Sequence, residues 1–116
     1  MNINLSGLKQ STVLKEILSD PKDASEISCF LRIGVDGFKG INEKFGIDYG
    51  DKILQGVAKC ILDNLEPGYQ AFHVVSDEYI ITAPKECDVE DLHELYRQIR
   101  RSVDLVIEKN NYEALY

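Results

Sequence analysis

Ile27-Ser28-Cys29-Phe30-Leu31-Arg32-Ile33-Gly34-Val35-Asp36-Gly37-Phe38-Lys39-Gly40-Ile41-Asn42-Glu43-Lys44-Phe45-Gly46 changes its hydrophobic period in mid-course. Over residues 27–35 apolar side chains occupy alternate positions, Cys29, Leu31, Ile33 and Val35, with Phe30 on the other face. That density predicts a central strand covered on both sides. Asp36-Gly37 breaks the run, and Phe38, Ile41, Asn42 and Phe45 follow at helical spacing until Gly46 stops the element. The chain therefore passes from a strand directly into a helix.

Downstream, Asp48 is a plausible N-cap for the clearest helix of the chain, with Ile53, Leu54, Val57, Ala58, Ile61, Leu62 and Leu65 on one stripe. Pro67-Gly68 marks a turn, and Ala71 to Val75 and Tyr79 to Ala83 are β-rich runs separated by polar Ser76-Asp77-Glu78, a hairpin. Pro84 and Asp88 lead into a long amphipathic segment with Leu92, Leu95, Ile99, Val103 and Ile107 aligned. Upstream, the segment from Leu8 to Leu18, apolar at Val13, Leu14, Ile17 and Leu18, reads as a short amphipathic helix ended by Ser19-Asp20-Pro21. The order helix, strand, two helices, hairpin, helix predicts an α/β sandwich with one face of a mixed sheet covered.

Bulk properties narrow the function classes. At 116 residues the chain has the length of one domain, enough to bury roughly two-thirds of its unfolded surface. The formal charge of -7 opposes sequence-independent binding to nucleic acid or anionic membrane, since both need a cationic surface. Cys29, Cys60 and Cys87 are widely spaced, with no CxxC pair and two histidines, a poor basis for structural zinc. No basic-then-apolar leader and no run long enough to cross a bilayer is present, so the expectation is a soluble, cytoplasmic segment without membrane contact.

Gly34-Val35-Asp36-Gly37-Phe38-Lys39-Gly40-Ile41-Asn42, with Phe45-Gly46, Gly50-Asp51 and Leu54 behind it, resembles the strand-to-helix signature of the GGDEF family. In that family an Asp-x-Asp pair precedes Phe-Lys-x-Ile-Asn and a later Gly-Asp. The tip Val75-Ser76-Asp77-Glu78-Tyr79 stands in the place of Gly-Gly-Asp-Glu-Phe, and Leu5-Ser6-Gly7-Leu8 is similar to the opening Leu-Thr-Gly-Leu. Several blocks in register make the resemblance specific.

The resemblance implies a nucleotide-cyclase, palm-like and ferredoxin-like mixed sheet. It further implies GTP and Mg2+ as ligands, and condensation of two GTP into cyclic di-GMP when two domains face each other. Metal-bearing carboxylates would come from the first Asp of the pair and the third hairpin residue. Here these are Gly34 and Asp77. In a strand Asp36 would project to the same face as position 34 and could partly compensate as a metal ligand beside Asp77; the reading that weighs more is that it simply caps the helix beginning at Gly37 or Phe38. Asp77 and Glu78 are the candidate catalytic acids. Asn42 and Asp51 match the positions that read guanine, and the backbone amides of Gly37, Phe38 and Lys39 match a phosphate cradle.

Other departures from the family pattern point away from turnover. Val75 and Ser76 replace the two glycines; Val75 either bears on the nucleotide or simply extends its strand, with the turn on Ser76-Asp77. The Arg-x-x-Asp product-inhibition motif would fall on Glu66-Pro67-Gly68-Tyr69 and is absent. The family's C-terminal Ser-Ile-Gly strand and cation-bearing helix have no counterpart before Tyr116, which leaves a sheet edge open to pairing. Tyr79 reads as core and His73 as structural.

The leading expectation is a non-catalytic regulatory or dimerisation domain of a longer cyclic di-GMP signalling protein. Its partners would be a second copy or adjacent domains of the same chain, a phosphodiesterase domain among them. Weak GTP binding without turnover, a residual cyclase working through Asp36, Asp77 and Glu78, and an interaction module with no nucleotide role stand as alternatives.

Overall fold

A computed structural model describes residues 8–35, 37–75 and 77–110. Strand β1 (Lys9–Gln10) leads into α1 (Ser11–Ser19) and α2 (Pro21–Ala24); β2 (Ile27–Gly34) precedes α3 (Phe38–Phe45) and α4 (Ile47–Asn64). The hairpin β3 (Gln70–Val75) and β4 (Glu78–Pro84) is followed by α5 (Val89–Asn110). The sheet is mixed, in the order β1-β3-β4-β2, with β1 parallel to β3 and the other pairs antiparallel. The α/β sandwich expected from the pattern is the observed architecture.

Period two determines which side chains meet. Leu31 pairs with Ile81 and Ile33 with Tyr79, and Ala71 and His73 continue that face across β3. Ala71, Tyr79 and Ile81 join one core with Ile53, Val57 and Ile61 of α4 and Leu92, Leu95, Ile99 and Val103 of α5. Burying a side chain of this size contributes about 1.5–3 kcal/mol. The side chain of Ile107 lies outside the described residues.

Several expectations change. Among the described residues β2 is an edge strand, not a central one, and on its second face Phe30 is 52% exposed. Its apolar density serves one covered face plus a lone aromatic. Asp48 is not the N-cap of α4 but lies in its first turn, because the N-cap is Gly46, at φ 96 and ψ 162, two residues earlier. The turn expected at Ser19-Asp20-Pro21 opens the short helix α2, where Asp20 accepts from the Lys22 amide at 2.9 Å. No strand follows α5 among the described residues, and residues 111–116 lie outside them.

Candidate functional site at the strand, helix and hairpin junction

The open end of the β2–β4 ladder gathers the signature residues. Gly34 is in register with Glu78, and the Val35 amide donates to the Asp77 carbonyl at 3.0 Å, so the hairpin tip is bonded to the point where the chain leaves β2. β3 runs on to Val75, which pairs with Glu78 after a bulge following His73. The backbone thus takes the strand-extending course at Val75; Ser76 lies outside the described residues.

Glu78 does not stand as a solvated carboxylate. Arg32, two residues before Gly34 on the same face of β2, donates Nη2 to both of its oxygens, with 2.6 Å to Oε2. The Arg32 side chain is 70% exposed and that of Glu78 24%. Asp77 occupies the turn and is half-buried. Tyr79, fully buried, donates its hydroxyl to the Leu54 carbonyl at 2.8 Å and stacks on His73 with ring centroids 4.9 Å apart. Burial first, and the Asp77 charge second, push its phenol well above the usual range.

On the helical side, Gly37 caps α3 with φ 70 and ψ 17, a left-handed conformation that suits glycine. Of the expected amide cradle, the Phe38 amide donates to the Val35 carbonyl at 3.3 Å, the Phe38 side chain is buried and Lys39 is exposed. Asn42 sits against α4: its Oδ1 is buried without a hydrogen-bond partner, and a Cβ built on Gly50 would stand 1.8 Å from it. Asp51, half-buried, is the next residue of α4. Helix packing therefore brings the Asn42 side chain against Gly50, the residue before Asp51.

Magnesium is the cation that the resemblance implies, and the described donors at the hairpin do not by themselves fit it. Position 34 supplies no oxygen from a side chain, Glu78 is engaged by Arg32, and Asp36 lies outside the described residues. Among the described residues no three His, Cys, Asp or Glu side chains converge on a common point. A cleft of about 370 Å³ opens at the other end of the sheet, between Ile17, Asp23, Thr82 and Lys85; no signature residue lines it. Arg32 was missed in the sequence, although alternation placed it on the same face as Gly34.

No helix among the described residues is long and apolar enough to cross a membrane. The family model described as diguanylate cyclase, GGDEF domain, matches residues 6–115. The diguanylate cyclase DosC of Escherichia coli is 31% identical over 93 residues, 80% of this chain and 20% of DosC; the chain thus spans about a fifth of that relative. The active GGEEF domain of a diguanylate cyclase from Vibrio cholerae superposes with a TM-score of 0.65 at 28% identity, over 81% of this chain and 62% of that one. The S helix-GGDEF-EAL segment of Vibrio cholerae LapD, bound to c-di-GMP, gives 0.75 at 19% identity, over 88% of this chain and 25% of that one.

Proposed function

The chain belongs to the GGDEF family of diguanylate cyclase domains, and from that premise we propose that it is a non-catalytic member, a regulatory module of a longer cyclic di-GMP signalling protein. The observation that carries this reading is the register of Gly34 with Glu78. Where a cyclase needs carboxylates at position 34 and at the third hairpin residue to hold metal between an attacking hydroxyl and a triphosphate, this chain keeps only the second, Asp77, beside the Glu78 that faces Gly34. Losing an anionic oxygen ligand weakens a hard-cation site directly.

The module acts through neighbours instead of through product. Adjacent domains of the same chain are the favoured partners, by analogy with the GGDEF-EAL arrangement of LapD; a second copy of the domain is the other. Incubation with GTP and Mg2+ or Mn2+, followed by chromatography of nucleotides, should yield no cyclic di-GMP. Clear product formation would overturn the reading.

A second reading, GTP binding without turnover, is favoured by the Asn42 and Asp51 arrangement. A buried acceptor without a donor is costly, and Asn42 Oδ1 is one; a guanine N–H reaching it after rotation of the amide would relieve that cost. Saturating GTP should then raise the melting temperature by mass action. The gain should vanish in Asn42→Ala, and the absence of any shift at millimolar GTP would remove this reading.

A further inference from the structure

The Arg32–Glu78 bridge runs diagonally across the β2–β4 ladder. Arg32 is in register with Ile80, Gly34 with Glu78, and the guanidinium binds both carboxylate oxygens of Glu78. A cation of the chain itself is therefore bound to the carboxylate that faces position 34, where the family's own carboxylate is missing. We propose that Arg32 is a built-in counter-ion that takes the place of a divalent metal at the hairpin and keeps Mg2+ and Mn2+ out.

The physical case has three parts. A guanidinium stays charged at any physiological pH, so the site is never without this cation. A charge-assisted bond to both oxygens takes up part of the lone-pair capacity for which a hard cation would compete. A divalent ion arriving at Glu78 must also approach a positive charge only a few ångströms away, a repulsion that water screens only in part. Because Arg32 is 70% exposed, the exclusion comes from charge and competition more than from a closed cavity. The missing carboxylate at position 34 weakens the metal site; Arg32 goes further and substitutes for the ion.

This inference rests on the family reading above, and its test uses no nucleotide. Free Mn2+ is titrated against the intact protein and followed by its paramagnetic resonance signal. Three variants are compared with the wild type: Arg32→Met, which keeps the aliphatic stem; Arg32→Met with Glu78→Gln; and Arg97→Met, which removes an equal charge from the exposed Arg97–Glu94 pair on α5. Arg32→Met should bind Mn2+ roughly tenfold or more tightly than the wild type. The gain should disappear with Glu78→Gln and be absent in Arg97→Met.

No gain in a folded Arg32→Met protein, an equal gain in Arg97→Met, or a gain that survives Glu78→Gln would each overturn the proposal. If Arg32→Met fails to show a cooperative melting transition, Arg32→Gln is held to the same outcomes. A wild type that binds Mn2+ as tightly as Arg32→Met yet makes no cyclic di-GMP would sink this inference alone. A wild type that makes product while binding Mn2+ more weakly than Arg32→Met would sink only the functional reading.

Discussion

Gly50 is set against Asn42: a Cβ at position 50 would stand 1.8 Å from Asn42 Oδ1 and 3.0 Å from its Cγ, with Phe38 Cε1 at 3.2 Å. Ala at position 50 therefore forces the amide out of its place between α3 and α4, at a cost of about 1–3 kcal/mol. With Asn42→Ala the obstacle is gone and the intrinsic helix preference for Ala over Gly, about 1 kcal/mol, is recovered. Urea denaturation of the two single variants and the double variant should show Gly50→Ala destabilising in the parent and neutral or stabilising beside Asn42→Ala. Equal costs in both backgrounds would assign the constraint to Phe38 instead.

Tyr79 supports the hairpin from beneath through its bond to the Leu54 carbonyl. Tyr79→Phe should cost about 1 kcal/mol. The same residue shapes the alkaline limb of stability. Its folded pKa is raised from an ordinary value of 10.0 by burial and by Asp77, so its contribution is complete below about pH 10 and is lost as pH rises toward the folded value. Burial and a bond to Cys87 shift Tyr69 in the same direction. Denaturation midpoints measured between about pH 8 and 11 should fall less steeply for Tyr79→Phe than for the parent; identical slopes would show that Tyr79 does not carry the effect.

Much of the fold was legible because the elements announce themselves locally. Residues 27–45 change from period two to helical spacing at Asp36-Gly37, and the elements observed are β2 and α3. Ile53, Leu54, Val57, Ala58 and Ile61 of one stripe, and Leu92, Leu95, Ile99 and Val103 of the other, are buried as their spacing required, whereas Leu62, expected on the first stripe, is 41% exposed. Position within the sheet was not legible, because an apolar run like Ile27–Gly34 reads alike at the centre and at an edge. Nor was α2, since Asp20-Pro21 signals a turn and a one-turn helix in the same residues. In the site, alternation tells which face Arg32 occupies but not that Glu78 lies diagonally across from it; register depends on the partner strand and its bulge.

Asp88 and Asp91 close the start of α5 reciprocally, each carboxylate accepting from the other's backbone amide at 3.0 Å. This is the capping-box arrangement with aspartates at both ends. Asp88→Ala should lower stability by about 1 kcal/mol, whereas Asp88→Asn or Asp88→Ser should recover most of it because both accept the same bond. Chemical denaturation checks the order. A fully stable Asp88→Ala protein would mean that solvent satisfies these amides equally well.

Placing a carboxylate at position 34 separates the two terms of the proposal, a missing oxygen ligand and a neutralising cation. Among the described residues a Cβ on Gly34 meets only the Asp77 carbonyl, at 4.0 Å, so Gly34→Asp should fold with little steric cost, and as an exposed substitution should shift stability by no more than about 0.5–1 kcal/mol. The new acid would face Glu78 in the ladder but also stand on the same strand face as Arg32. In the parent background it should attract the guanidinium and gain little Mn2+ affinity. Combined with Arg32→Met, the two carboxylates are left with no cation of the chain between them, and repulsion at close range makes a divalent ion the favoured bridge. Mn2+ titration should therefore show a gain for the double variant larger than the sum of the two single effects in free energy. Full recovery in Gly34→Asp alone would show that only the missing oxygen mattered.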